Sequence, residues 1–454
     1  MVKKHWNAVK YRIALIFPSL RAISYYSLGF QILYRMLNSY PDVLAERFTY
    51  DSIYSIESFR PLNEFDIVMV SSNYEMNYPL LAQILKRSGI NPEKTQILVG
   101  GITTFNPGPL LGMGLYVTPS EVESIIPLLY EYNFNLDSAA EEGLVISPKL
   151  YNRAKVLRAT TIAHEFSRVL VLPSSEGSKI PLEITRGCPF RCKFCLYGNV
   201  KSRVVYKTIE DVQIDLSFWM RHYPHKNIEI ISSEPFVNPD LEDIIRLLVK
   251  NKYYFSFPSL RVDRVTEDLL EALHIVGNRT VTIAPEHSER LRRFLGKVFS
   301  DDDIIEFGKI IKNYRNIRKI KMYILAGVKG ENLDDFKSIL ELKRRLESVS
   351  NKKVSLSINY LVPKAFTYPI SELSYRNLNN LKEKTKLLRK MFNVSLDEKK
   401  AYIQALFSLG GPDVGKLIIQ NPFEAIKFSF WKDFVENNYD PVENPWNYKR
   451  HINT

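Results

Sequence analysis

The chain contains three cysteines, Cys188, Cys192 and Cys195, and all fall in the run Cys188-Pro-Phe-Arg-Cys192-Lys-Phe-Cys195. An odd number of thiols at this spacing suits no disulfide framework. Three thiolates from one loop can instead hold three irons of a [4Fe–4S] cubane, which leaves the fourth iron without a protein ligand. An open iron is a chelation site. The amino and carboxylate groups of S-adenosylmethionine can occupy it, and an electron from the cluster can then cleave the sulfonium to give a 5′-deoxyadenosyl radical. In such chemistry the cofactor does the difficult step and the protein positions and shields it. Two other readings compete. A Cys3His zinc site needs a distant imidazole, whereas zinc arms usually come as paired C-x2-C from separate loops, and the nearest downstream histidines, His222 and His225, lie on or just after a predicted helix. A thioredoxin-type C-x2-C pair leaves Cys188 idle.

The elements around this loop are those of an α/β protein. In the first third, Arg12–Phe17, Asp66–Val70, Gln96–Val99 and Leu115–Thr118 read as strands, and Leu28–Leu37, Leu80–Arg87 and Glu121–Tyr132 as helices. That alternation predicts a doubly wound, Rossmann-like domain with a parallel sheet. Its ligand crevice lies beyond the carboxyl ends of the strands, at Pro18-Ser19, Ser71–Tyr74 and Gly100–Thr103. Pro173–Gly177 reads as linker. A second series then begins, with strands at Leu182–Thr185, Ile228–Ile231, Tyr253–Phe257, Thr280–Ile283, Ile320–Leu325 and Val354–Tyr360, and helices at Ile209–Arg221, Leu241–Lys250, Glu267–Val276 and Leu333–Leu346. Six such units predict a partial (β/α)6 TIM-type barrel, and the cysteine loop follows its first strand, at the mouth where such folds keep their active sites. Beyond Pro369 the pattern is a helical C-terminal extension, with helices at Ser374–Phe392, Leu396–Phe407 and Pro422–Val435. The implied division is 1–138, a linker 139–177, the barrel 178–370 and the extension 371–454.

C-x3-C-x2-C with an aromatic before the last cysteine is the signature of the radical S-adenosylmethionine family, and the chain resembles that family here. The resemblance implies that Phe194 flanks the adenine. Ser232-Ser233-Glu234 stands where the family usually has Gly-Gly-Glu to contact the amino group of the methionine moiety; the glycines are missing, but a carboxylate and carbonyls can still accept from an ammonium. Just past later strand ends, Ser259, Arg261, Glu286, Ser288 and Arg290 are polar groups suited to ribose hydroxyls and a carboxylate. Glu289 and Arg293 read as an i, i+4 pair on a solvated helix face. By resemblance, Ile320–Leu325 with Gly327, and Tyr360-Leu361-Val362, are adenine-contacting strand ends. The likeness extends to a group of radical S-adenosylmethionine proteins with a cobalamin-binding-like N-terminal domain. It rests on Leu28–Leu33, Ala45–Arg47, Phe65–Val68, Tyr74–Met76, Gly100-Gly101 with Asn106-Pro107, and Thr282–Glu286, across roughly residues 10–415. One departure stands out. Domains that hold cobalamin base-off use Asp-x-His-x-x-Gly, and no histidine occurs between His5 and His164. Either cobalamin binds without a protein lower ligand or the domain has kept the fold and lost the cofactor, with the second slightly favoured.

The bulk numbers fit these elements. The 454 residues are 45% hydrophobic and 25% charged, which is globular composition for two or three domains. No run of eighteen apolar residues or signal-like N-terminus occurs, so the expected place is the cytoplasm. A net charge of +12 admits an anionic partner such as RNA, and a solvated surface with scattered Lys and Arg accounts for it about as well. The leading expectation is an enzyme that abstracts hydrogen from an unknown substrate, for methylation or carbon coupling, fed by an electron donor such as ferredoxin or flavodoxin. Methylthiotransferases need three further cysteines for a second cluster, and none are left. RNA modification is a second enzymatic reading, and a zinc- or cluster-binding regulatory module is the non-enzymatic one.

Overall fold

The structure is a computed structural model that describes residues 4–162, 179–222, 226–437 and 439–453. The expected linker at 173–177, His164 and His225 lie outside the described residues, as does the side chain of His222. The described residues form two compact units: residues 4–162 together with those from Tyr402 onward, and residues 179–401. Among the described residues no helix is long and apolar enough to cross a membrane.

The first unit is built on five parallel strands, β1 (Tyr11–Phe17), β2 (Val43–Thr49), β3 (Ile67–Ser71), β4 (Ile97–Gly100) and β5 (Tyr116–Thr118), in the order β2-β1-β3-β4-β5. This is the flavodoxin-like doubly wound order, with its switch point between β1 and β3. Strands buried on both faces need apolar residues at nearly every position, and β1 (YRIALIF) has them. Helices Leu28–Ser39 and Val122–Glu131 close one face through Phe30, Tyr34, Leu37, Ile125 and Leu129. β2 carries VLAERFT, whose charged pair hides a strand from hydropathy. Both charges are buried and held: Arg47 bonds Glu57 Oε1 and Gln31 Oε1 at 2.7 Å each, and Glu46 accepts from Ser58 Oγ at 2.6 Å.

Residues 139–162 belong to this unit rather than to a linker. Ala139, Ala140, Leu144 and Val145 enter its core, and β6 (Ala154–Lys155) lies at its margin. The C-terminal residues return to it as well. A helix at Pro412–Gln420 packs so closely on Gly108–Gly112 that a Cβ on Gly112 would sit 1.9 Å from the Pro412 carbonyl oxygen. Gly410-Gly411-Pro412 looks like a breaker, but proline at a helix's first position is favoured. The helix expected at Pro422–Val435 is confined to Phe428–Asn437, and Asn421–Lys427 forms turns.

The second unit begins with β7 (Ile180–Arg186), against which β8 (Val205–Tyr206) runs antiparallel. Then come β9 (Asn227–Ser232), β10 (Tyr254–Ser256), β11 (Thr280–Glu286), β12 (Lys319–Ala326) and β13 (Lys353–Tyr360). β7, β9 and β10 pair in parallel, as do β11, β12 and β13, and a parallel bridge from Leu260 to Ile283 joins the two sheets. This gives a six-stranded partial barrel with sequence neighbours adjacent and helices in the crossovers. The chain closes with β14 (Ile452–Asn453), which pairs with β6 in the first unit.

Candidate functional site

The cysteine loop is braced by its own backbone before any metal is considered. Cys188 N–H donates to Lys201 O at 2.9 Å, and Cys195 N–H to Cys192 O at 3.0 Å. Cys195 caps the helix Leu196–Val200, its Sγ accepting from Gly198 N at 3.4 Å. The Asn199 side-chain amide donates to Cys192 O at 3.1 Å and to Cys195 O at 2.8 Å. The entry turn is tied by Tyr197 Oη, which accepts from Gly187 N at 3.0 Å, and by Ser233 Oγ, which donates to Gly187 O at 2.5 Å. Burial pushes the Cys188 thiol up to about 11, opposed by hydrogen bonding to the Phe190 backbone and helped by Cys195 and Glu234. Cys192 is raised by burial too, with Lys297 opposing. Ligation must displace these protons, so cluster assembly is coupled to pH.

The loop stands at the carboxyl ends of β7 and β9, where the structure leaves two hydroxyls unanswered. Thr185 Oγ1 and Ser232 Oγ are buried with no partner among the described residues, and the two residues are register neighbours. Each unpaired buried hydroxyl costs roughly 1–3 kcal/mol. Two side by side, next to a three-thiol loop, fit the polar end of a bound molecule. Among the described residues no three His, Cys, Asp or Glu side chains converge tightly enough to hold a single ion. A cubane spreads its thiolates over separate irons and does not need that convergence.

The other expected site residues divide into three groups. Glu234, Arg261 and the loop residue Phe190 come together: Arg261 lies 4.1 Å over the Phe190 ring and 4.0 Å from Glu234 Oε2, while forking onto Asp263 at 3.1 and 2.9 Å. Burial raises Glu234 above the usual carboxylate range, with Arg261 opposing. Phe194 and Leu361 meet in one apolar cluster with Leu291, Leu295, Val328 and Ile370. Tyr360 packs over Gly327, and its hydroxyl is committed to Leu381 O at 3.0 Å and Thr385 Oγ1 at 2.8 Å. Val362 is half-buried beside them, and Ser259 is half-buried before the Leu260 bridge that joins the two sheets.

Glu286, Ser288 and Arg290 are spent on the protein itself. Glu286 sits at a β-bulge with φ 67° and bonds Lys297 Nζ at 2.6 Å. Ser288 Oγ donates to Asp335 Oδ1 at 2.7 Å, and Arg290 reaches both oxygens of the same carboxylate. Asp335 in turn completes the capping box of the helix Leu333–Ser350. Glu289 and Arg293 form the expected surface pair at 2.8 Å.

Sequence reasoning passed over Thr185, Asn199, Lys297 and a buried network around Glu331. Thr185 at a strand end and Asn199 four residues after Cys195 were legible as positions, but their partners are set by tertiary contacts. His287 Nδ1 accepts from Ser288 N at 2.8 Å, so Nε2 carries the proton that reaches Glu331 Oε2 at 3.1 Å. Glu331 also accepts from Gly327 N, Val328 N and Lys384 Nζ at 2.8, 3.0 and 2.6 Å. Burial opposes its ionisation, but the bonds from His287 and Lys384 hold it below its ordinary value of 4.5. Its stabilising share is therefore complete above that value and is lost as pH falls through the lower folded-state value. Glu331→Gln is expected to cost roughly 3–5 kcal/mol in urea unfolding at pH 7 and to flatten the loss of stability on acidification. An unchanged acid profile would remove Glu331 from that role.

With the geometry in place, the comparisons with known proteins agree on one family. A family model described as the radical SAM superfamily matches residues 182–342, and one for the N-terminal part of radical SAM proteins matches 29–143. The chain belongs to the radical SAM superfamily. An uncharacterised protein from Methanocaldococcus jannaschii is 23% identical over 399 residues, covering 83% of each chain. The ribosomal protein uS12 methylthiotransferase RimO of Dictyoglomus thermophilum is 22% identical over 194 residues, 39% of this chain and 42% of that one. Among solved structures, the radical S-adenosylmethionine methyltransferase TsrM from Kitasatospora setae superposes with a TM-score of 0.57 at 12% identity, over 82% of this chain and 76% of that one. The cobalamin-dependent radical enzyme OxsB superposes with a TM-score of 0.56 at 17% identity, over 83% of this chain and 61% of its own. At these identities the likeness establishes the superfamily's fold and says nothing of the substrate.

Proposed function

We propose that this radical SAM enzyme binds S-adenosylmethionine at the carboxyl ends of β7, β9 and β10 and cobalamin over the carboxyl edge of its N-terminal sheet. On this reading it methylates an unactivated carbon of a substrate that the chain does not name. A [4Fe–4S] cluster with bound S-adenosylmethionine supplies, once reduced, a 5′-deoxyadenosyl radical, and cobalamin supplies a transferable methyl group. Cys188, Cys192 and Cys195 hold three irons. The unpartnered Thr185 and Ser232 hydroxyls and the Glu234 carboxylate offer acceptors for an ammonium, and Phe194 with Leu361 offers an apolar wall for a base.

The observation that carries the cobalamin part is the edge at the β1/β3 switch point. Leu20, Ile23 and Tyr26, after β1, and Tyr74, after β3, are all exposed large apolar side chains. A corrin is broad and largely apolar, and would cover such a surface. Among the described residues of this unit the imidazoles are His5 and His451, and His451 stacks on Trp446 with its Nδ1 against the Tyr151 and Asn152 carbonyls. His5 precedes β1 and so lies at the opposite, amino end of that strand. TsrM and OxsB, which superpose over 82% and 76% of this chain, are described with cobalamin bound, which supports a cobalamin role here.

Sulfur insertion is the chemistry of the RimO relatives, but they match only part of the chain. A second three-cysteine cluster of the kind expected for methylthio transfer has no ligands left in a chain with three cysteines. The test is uptake of hydroxocobalamin by the purified protein, followed by its visible spectrum. One cobalamin per chain is expected, with an unchanged spectrum in His5→Ala. Absence of uptake in a protein that still cleaves S-adenosylmethionine would overturn the methylation reading in favour of hydrogen abstraction alone. Glu234→Ala is expected to weaken S-adenosylmethionine binding about tenfold or more while iron content stays unchanged. Equal binding in the variant would remove Glu234 from the site.

A further inference from the structure

The cluster loop is sunk in the barrel mouth on one side, but on another side it is almost at the surface. Gly296, exposed and with φ 92°, lies against the loop, and a Cβ there would stand 3.5 Å from the Cys192 Cα and 3.8 Å from both Arg191 O and Lys193 N. Lys193 N–H donates to Leu295 O at 3.0 Å, which pins the loop to this turn. The residues flanking Gly296 are apolar and open to solvent: Phe294 is 39% exposed and Val298 73% exposed. Cations rim them. Lys193 Nζ sits 4.5 Å over the Phe294 ring, Arg191 is exposed, and neither cation is in an ion pair among the described residues. Arg293, also exposed, is balanced by Glu289.

We propose that this patch, Arg191, Lys193, Phe294, Gly296 and Val298, is the docking surface for an acidic one-electron donor protein of the iron–sulfur or flavin class. A small apolar centre with a charged rim is the pattern of weak redox encounters, which bury little area and rely on electrostatic steering for speed. The positive rim selects an acidic partner, and the chain's net charge of +12 acts in the same direction at longer range. Gly296 lets the partner approach the Cys192 backbone without an intervening side chain. In the docked pair the donor is oxidised by one electron and the cluster is reduced by one. No covalent bond is made or broken, and no proton has to move.

Two arms test this on the reconstituted holoprotein, with an acidic flavodoxin as probe. The first measures binding of oxidised flavodoxin by titration calorimetry. The second follows bleaching of the cluster absorbance by flavodoxin hydroquinone and, separately, by dithionite. Lys193→Glu and Val298→Asp are each expected to weaken flavodoxin binding and slow its bleaching reaction about tenfold, with a matching loss of salt dependence in Lys193→Glu. Dithionite bleaching and iron content should stay within about twofold, since a small reductant needs no docking surface. Lys312→Glu, at the far end of the barrel strands, should change neither arm. Flavodoxin binding that is unaffected by both variants, or equally affected by Lys312→Glu, overturns the proposal. So does a loss of dithionite bleaching in parallel with the flavodoxin reaction, because the variants would then be damaging the cluster. Failure to assemble a cluster in the unsubstituted protein would instead show as missing iron before either arm begins, and would count against the radical SAM reading itself.

Discussion

Replacing any one of Cys188, Cys192 and Cys195 by Ala is expected to abolish the cluster, and with it all cleavage of S-adenosylmethionine. The unsubstituted protein should carry about four irons and four sulfides after anaerobic reconstitution. The effect is all-or-none because no other thiol exists in the chain to take over. The brace of the loop does not depend on the thiols as a set. Asn199, Tyr197 and Ser233 hold its backbone through carbonyl and amide groups, so each variant should remain folded with its barrel intact. Iron and sulfide analysis, the visible spectrum and deoxyadenosine production after dithionite reduction measure the three consequences together. A single-cysteine variant that retains full iron, or a reconstituted wild type that binds only zinc, would end the assignment of this loop.

The family was legible in the cysteine loop because that signature lies in spacing along one stretch of chain. The strands that position it were legible for a related reason: β7, β9, β11, β12 and β13 are continuous or alternating apolar runs, and their boundaries shift by only a few residues from expectation. β2 was missed because Glu46 and Arg47 are charged yet buried, and only their tertiary partners Ser58, Glu57 and Gln31 make that tolerable. The return of the C-terminal residues to the first unit was not legible either. It is written in close backbone approaches at Gly112 and Gly415, and glycine alone does not say which carbonyl will stand against it.

The polar residues past the strand ends show a finer limit. Glu234, Arg261, Ser288 and Arg290 look equivalent in sequence, each a polar group just after a strand. In the structure Glu234 is buried beside the cysteine loop with one weak backbone bond, at 3.4 Å, and a distant cation. Ser288 and Arg290 are absorbed by Asp335. A helix cap 45 residues downstream of Arg290 thus decides that this guanidinium serves the fold. On the proposed reading, unanswered hydroxyls rather than polar residues as such mark the ligand end of the barrel; Thr185 and Ser232 meet that criterion, although only Ser232 lies in a recognisable motif.

Gly187→Ala is expected to disable the site nearly as completely as loss of a cysteine, and a second glycine provides the control. Gly187 and Gly277 both have positive φ, 92° and 80°, so alanine at either carries a conformational cost of about 1–2 kcal/mol. Their surroundings differ. A Cβ on Gly277 meets nothing within 4 Å, whereas one on Gly187 would stand 2.0 Å from the Arg203 carbonyl oxygen and 2.8 Å from its carbon. Neither atom belongs to a flexible side chain, so the backbone of the turn or of the segment entering β8 must move. Movement of the turn would strain the bonds from Tyr197 and Ser233 and shift Cys188, the next residue, off its place beside the other two thiols. Gly277→Ala should therefore lower stability by about the conformational cost alone and keep full iron. Gly187→Ala should lose stability beyond that amount and retain about a tenth of the iron or less, because a cubane tolerates little displacement of a ligand. Thermal unfolding and iron content of the two variants, measured side by side, decide it. Equal stability and equal iron in the pair would mean that the close approach at Arg203 is not what fixes the cysteine loop.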